Sequence, residues 1–212
     1  MWKSLWIVLT LLMPAWAVAA ETVLVTLVQE GVTLTAVGGA PAKLETFIKL
    51  NEGDRLTLPK DAQLSMVFIG RARQETWRGP GVVQVAGTEG KAVSGKPQLT
   101  VKAIPEQVAR QMNRMPTVAS DGRVGMLRLR SIPSEDAVAR VEGDYRDLRK
   151  TSAPNDRNPE ILLLGGLFEL REYDRVRSEL TRLASLYPAD PGVADLVQLY
   201  TRALEAENPT LR

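Results

Sequence analysis

The chain has 212 residues, 27 Lys+Arg against 25 Asp+Glu, neither Cys nor His, and 44% hydrophobic residues. That is enough for a packed core, while the missing His and Cys exclude Ser-His-Asp and Cys-His catalysis, thiolate metal sites, iron–sulfur clusters and disulfides. A net charge of +2 is too small to argue for a nucleic-acid partner.

Residues 1–20 read as a secretory signal peptide. Lys3 precedes the apolar run Leu5 to Met13, Pro14 breaks it, and Ala17-Val18-Ala19-Ala20 supplies the small residues of a cleavage site. Cleavage at Ala19 or Ala20 leaves a mature chain beginning at Ala20 or Glu21. The run is too short for a spanning helix, and no Cys follows it to carry a lipid anchor. The expected location is therefore the periplasm or the exterior, and the mature protein is not expected to span a membrane.

From 21 to 103 the pattern is that of strands. Thr22 to Val28 is rich in β-branched residues, and Gln29-Glu30-Gly31 turns the chain into Val32 to Val37. Gly38-Gly39-Ala40-Pro41 punctuates, and the strand pattern resumes over Leu44 to Leu50. Asn51-Glu52-Gly53-Asp54 turns into Arg55 to Leu58. Ala62 to Ile69 is strongly apolar, with Leu64, Met66 and Phe68 on one face. Ala72 to Trp77, Val82 to Ala86 and Gln98 to Val101 complete the set. Many short strands between Gly and Pro turns predict a β-sandwich or roll.

Residues 104–132 form a locally basic linker with Arg110, Arg114, Arg123, Arg128 and Arg130 against Glu106 and Asp121. A short helix over Pro105 to Met115 and a strand over Arg123 to Arg130 are candidates within it. The stretch 131–212 holds 11 basic and 15 acidic residues, so the linker's charge has an acidic helical block to contact. An anionic docking patch including Arg128 and Arg130 is the alternative.

From 133 to 208 the apolar period is near 3.6 residues. Ala137, Val138, Val141, Tyr145 and Leu148 form one stripe, and Ala153-Pro154-Asn155-Asp156 ends that helix. Asn158-Pro159-Glu160 reads as N-cap, first-turn proline and acid before an all-round apolar helix from Ile161 to Leu170. A third helix turns Tyr173, Val176, Leu180 and Leu183 inward. A fourth is capped by Asp190, with Pro191 in its first turn, and carries Leu196, Val197, Tyr200 and Leu204.

Two parts resemble known families. Leu50-Asn51-Glu52-Gly53-Asp54-Arg55-Leu56-Thr57-Leu58-Pro59, the apolar strand Ala62 to Phe68 and Gln74-Glu75-Thr76-Trp77-Arg78-Gly79-Pro80 resemble, in that order, the FecR-type periplasmic domain, over about residues 21–103. Residues 159–206 resemble a tetratricopeptide-type hairpin. Tyr173, Val176, Leu180, Leu183 and Pro188 fall at the spacings of that repeat's second helix and closing proline, and Leu163 and Gly165-Gly166 lie near the closest approach of its first. Val176 is larger than the usual residue at its position, and the glycine is displaced by one. Together these resemblances imply a segregated α+β protein, an N-terminal β-sandwich or roll followed by an antiparallel helical bundle. They also imply an exported interaction module.

The carboxylates Glu45, Glu52, Asp54, Asp61 and Glu75 were the material for two-acid hydrolysis, but nothing in the sequence marks one held in an apolar pocket. No calcium loop or phosphate-binding loop is present, so no metal, cofactor or catalytic residue is expected. Trp77 is the sole tryptophan after residue 20. Beside Arg78 and the Gly79-Pro80 turn it either stacks on a sugar or a partner, or closes one end of the β core. The expectation is a non-enzymatic adaptor of the bacterial envelope with a protein partner, Trp77, Arg78, Arg128 and Arg130 being the candidate contacts. A cell-wall or polysaccharide-binding module is the alternative.

Overall fold

The computed structural model describes residues 22–118, 124–125 and 135–207. Two antiparallel sheets come first and the helices follow, so the segregated α+β arrangement is observed. The strands are β1 Val23–Gln29, β2 Thr33–Thr35, β3 Pro41–Lys43, β4 Lys49–Leu50, β5 Arg55–Leu58, β6 Gln63–Phe68, β7 Arg73–Arg78, β8 Gly81–Ala86, β9 Glu89–Gly95 and β10 Gln98–Ala103. The first sheet has the order β10-β7-β6-β1-β4, and the second β3-β2-β5-β8-β9. Helix α1 spans Glu106–Arg114, and the short strands β11 Thr117–Val118 and β12 Val124–Gly125 pair with each other. The remaining helices are α2 Glu135–Thr151, α3 Asn158–Glu169, α4 Tyr173–Leu186 and α5 Pro191–Glu207. Among the described residues no helix is long and apolar enough to cross a membrane.

The two-residue alternation of strands explains how the layers stack. Val23 and Val25 of β1 and Leu64, Met66 and Phe68 of β6 enter the core between the sheets, where Leu56, Trp77, Val83 and Val85 meet them. Leu24 and Val67, on the opposite face of the same strands, belong to the core beneath the helices. β6 is apolar on consecutive residues because both of its faces are buried.

The helices follow their sequence signals closely. In α4, Val176, Leu180 and Leu183 are buried. Asp190 Oδ1 accepts the Val193 N–H at 3.0 Å and caps α5. Helix α3 is buried almost throughout and touches α1, α2 and α4. It begins at Asn158, one residue ahead of its expected first turn, and its first amide is received by Asp156 Oδ1 at 3.1 Å.

Three features depart from the sequence reading. Residues 104–115 are no tether, for Ile104, Val108, Ala109, Met112 and Met115 are buried in the helical core. Of the five arginines of 104–132, Arg114 pairs with Glu169 on α3 at 3.1 Å and Arg110 with Glu106 at 3.3 Å, while Arg123, Arg128 and Arg130 lie outside the described residues. Of the strand expected over Arg123 to Arg130, Val124–Gly125 is a strand and the remainder lies outside the described residues. Most of Leu44 to Leu50 is not a strand, because the chain there crosses the sandwich edge. Leu44 enters the inter-sheet core and Phe47, at φ +59°, enters the helical one. Finally, β9 was not anticipated, since Glu89-Gly90-Lys91-Ala92-Val93-Ser94-Gly95 lacks a β-branched run and is fixed by its pairing with β8.

Tyr200 is fully buried on α5, its ring centroid 5.6 Å from that of Phe168. Its hydroxyl has no hydrogen-bond partner among the described residues, and burial pushes its ionisation well above the ordinary tyrosine value. An unpaired buried hydroxyl costs about 1–3 kcal/mol. Tyr200→Phe is therefore expected to raise stability by about 1 kcal/mol in urea denaturation, and a loss of stability would show that the hydroxyl is paired.

Candidate functional site

Among the described residues, the helices meet the first sheet around Leu24 of β1 and Val67 of β6. Towards β7 and β10 the same face stays open and forms one wall of a cleft of about 580 Å³, closed opposite by the α2–α3 and α4–α5 turns. Strand register lays the wall out in rows. Ser65 lies across from Thr76, and Thr76 across from Thr100, with the Ser65 and Thr76 hydroxyls 2.8 Å apart. In the next row Gln29 faces Gln63, and Gln63 faces Arg78. Arg78 is exposed, and its guanidinium makes no hydrogen bond or ion pair with the described residues.

The other charges of the cleft are spoken for. Arg157 donates to Asp190 Oδ2 from Nη2 at 2.6 Å and from Nε at 3.1 Å, and its guanidinium lies 4.0 Å from the centre of the Tyr187 ring. Burial works against both charges. The Asp190 and Glu160 carboxylates nevertheless hold Arg157 above its ordinary value, and the Arg157 and Val193 hydrogen bonds hold Asp190 below its own. Lys102 pairs with Asp156 at the end of the cleft. Behind them, buried Glu160 accepts Arg149 Nη1 at 3.1 and 3.2 Å, tying α2 to α3. The groove bounded by α2, α3 and α4 is smaller, about 300 Å³. Two of its three arginines are already paired, Arg175 with Glu142 and Arg182 with Glu179, each at 2.7 Å.

Trp77 does not line the cleft. Its side chain points to the opposite face from Arg78, is 3% exposed and sits in the inter-sheet core, which corrects its assignment as a partner contact. The indole N–H donates to Glu75 Oε2 at 3.0 Å, so Trp77 belongs to a lock between the sheets. Glu75 is fully buried, and it also accepts the Gly90 N–H from β9 at 3.0 Å and Arg73 Nε at 3.0 Å. The sequence reading missed this buried acid, because its partners come from two strands 15 residues apart. A Cβ at Gly90 would lie 2.6 Å from Met66 and 2.8 Å from Glu75. Asp54 is buried as well and accepts the Asn51 amide at 2.8 Å. This closes the Leu50-to-Asp54 turn, in which Gly53 takes φ +93°. Glu45, Glu52 and Asp61 are exposed.

Arg128, Arg130, Ala19 and Ala20 lie outside the described residues. Among the described residues no group of three or more acids could hold a metal ion. No protein-family model, curated protein or solved structure matches this chain.

Removing Glu75 would leave the Trp77 and Gly90 N–H groups buried without an acceptor. Glu75→Ala is expected to cost about 3 kcal/mol, and Gly90→Ala about 1–3 kcal/mol through overpacking. Both would be read in urea with Trp77 fluorescence as the probe, and unchanged midpoints would refute the lock.

Asp190 gives a pH prediction of definite sign. Its folded value lies below the ordinary 3.8, so an unfolded chain binds this proton first as pH falls. The stability it supplies is complete above 3.8 and is lost as pH falls through the folded value. Asp190→Asn is expected to flatten the acid limb of the stability profile, and an unaltered limb would contradict the pairing with Arg157.

Proposed function

We propose that the chain is an exported, non-enzymatic adaptor of the bacterial cell envelope that holds a protein partner in the cleft between the first sheet and the helices. The observation that carries the reading is Arg78, whose guanidinium has no partner among the described residues, beside rows of Ser, Thr and Gln in a cleft whose remaining charges are paired internally. Hydroxyls and amides offer both donors and acceptors, which suits a peptide backbone, and a free guanidinium suits a carboxylate. The resemblances to a FecR-type domain and to a tetratricopeptide hairpin support an interaction role, and the apolar start of the chain supports export. The polysaccharide alternative loses its motive, since Trp77 is in the core and not at a surface.

A photo-reactive residue placed at Gln63 tests this, with the exposed positions Lys60 and Leu186 as controls. In cells of the source bacterium, the expected result is an adduct of one defined mass from Gln63 alone. Arg78→Glu should reduce its yield about tenfold, as charge reversal at a recognition site does. Adducts equally strong at Lys60 and Leu186, or none at Gln63, would overturn the reading. Sedimentation of the purified chain with sacculi and no adduct would favour the glycan.

A further inference from the structure

The cleft uses one face of β10, but the outer edge of that strand carries a separate signal. All six residues Gln98 to Ala103 are exposed. Of the five large hydrophobic side chains exposed among the described residues, Leu99 and Val101 lie on β10 and Val93 on the neighbouring β9. Among the described residues, β10 has none of the usual protections of a sheet edge. Its register with β7 runs without a bulge from Gln98 to Ala103, no proline interrupts it, and its single charge, Lys102, is engaged by Asp156.

Backbone direction follows from one bond. Ile104 donates its N–H inward to Ala72 O at 2.9 Å. By two-residue alternation Lys102, Thr100 and Gln98 also turn inward, and Leu99, Val101 and Ala103 aim their N–H and C=O groups outward. We propose that this edge pairs antiparallel with the same edge of a second copy of the chain, about a two-fold axis through Thr100.

The sequence of β10 fits itself in that register. Leu99 faces Val101 of the second copy in a hydrogen-bonded pair, and the outward groups of both residues are satisfied. Thr100 faces Thr100, a favourable cross-strand match, and Gln98 faces Lys102, so no like charges are opposed. Leu99 and Val101 of both copies form one apolar strip on the side of the sheet that carries Trp77 and Glu75, their partners in β7. The helical core meets this sheet at Leu24 and Val67 on β1 and β6, and reaches the edge strand only at Ile104, beyond the last residue of β10. The proposal is independent of what the cleft binds.

The absence of cysteine makes the register testable. In the proposed dimer Thr100→Cys places two sulfurs across a non-hydrogen-bonded pair with Cα atoms about 4.5 Å apart, within disulfide reach. Gln98→Cys separates them by four residues along the strand, about 13 Å, which no disulfide spans. Mild oxidation of each purified chain should crosslink Thr100→Cys at least about tenfold faster than Gln98→Cys. Light scattering of the unsubstituted chain should give twice the mass of one chain. Val101→Pro removes an outward N–H only, and Leu99→Lys places charge in the apolar strip. Either should weaken the dimer about tenfold or more with an unchanged circular dichroism spectrum, while Leu186→Lys on α4 should leave it intact. Equal crosslinking rates, a single-chain mass up to about 100 µM, or a dimer indifferent to both Val101→Pro and Leu99→Lys would each overturn the proposal.

Discussion

Burial of the first sheet on both faces is the constraint on which the rest of the architecture depends. Alternate residues of β1 and β6 feed two different cores: Val23, Val25, Leu64, Met66 and Phe68 one way, Leu24 and Val67 the other. With about 25 cal/mol gained per Å² of apolar surface removed from water, helices settle where the outer face is apolar. That is around Leu24 of β1 and Val67 of β6, while Gln29, Gln63 and Ser65 of the same strands face the cleft. The outer faces of β7 and β10 carry Gln74, Thr76, Arg78, Thr100 and Lys102, which gain nothing from apolar cover. The cleft is thus the part of the sheet that the hydrophobic effect leaves open, and its polarity and position have the same cause.

Charges then hold the layers where apolar contact sets them. A buried ion pair is weak evidence of net stabilisation, because desolvation offsets its attraction, but removing one partner is costly. Glu75 accepts from Arg73, Trp77 and Gly90 and so spans the two sheets. Glu160 with Arg149 joins α2 to α3, and Arg157 with Asp190 joins the start of α3 to the cap of α5. The Glu75–Gly90, Arg149–Glu160 and Arg157–Asp190 contacts each link two separate elements. Each also has further hydrogen bonds to backbone or ring partners, which makes burial of the charges tolerable.

The helical half was legible in the sequence because its signals are local. Val176, Leu180 and Leu183 reach the core where a 3.6-residue period puts them, and Asp190 caps where its position before Pro191 implies. On the β side, Arg55 to Leu58 and the inward face of Leu64, Met66 and Phe68 follow from alternation alone. What escaped depends on tertiary contact. β9 exists because β8 offers it a ladder, and Phe47 breaks the strand pattern because the chain leaves one core for another. Helix α1 is part of the core because Val108 and Met112 find the helical cluster, which five scattered arginines in the same segment concealed. The cleft was legible only as Arg78, since its other rows come from four separate strands brought together by register.

Trp77 and Arg78 show why adjacency in sequence misleads. Neighbours in a strand face opposite ways, so one enters the inter-sheet core and the other the cleft wall. A slip of β7 by one residue would exchange the two faces, burying Gln74, Thr76 and Arg78 and exposing Glu75 and Trp77. Hydrophobic burial of one tryptophan resists such a slip only in part, since β7 reads Arg73-Gln74-Glu75-Thr76-Trp77-Arg78 and is otherwise polar. The Gly90 N–H bond to Glu75 adds to that resistance, because it joins β7 to β9 and is lost in any other register, whereas the Trp77 bond lies within β7 and moves with it. The inter-sheet lock therefore determines which side chains of β7 the cleft presents, and through the β7–β10 ladder it sets the phase of the outer edge as well. A contact buried on one side of the sheet specifies the chemistry displayed on the other.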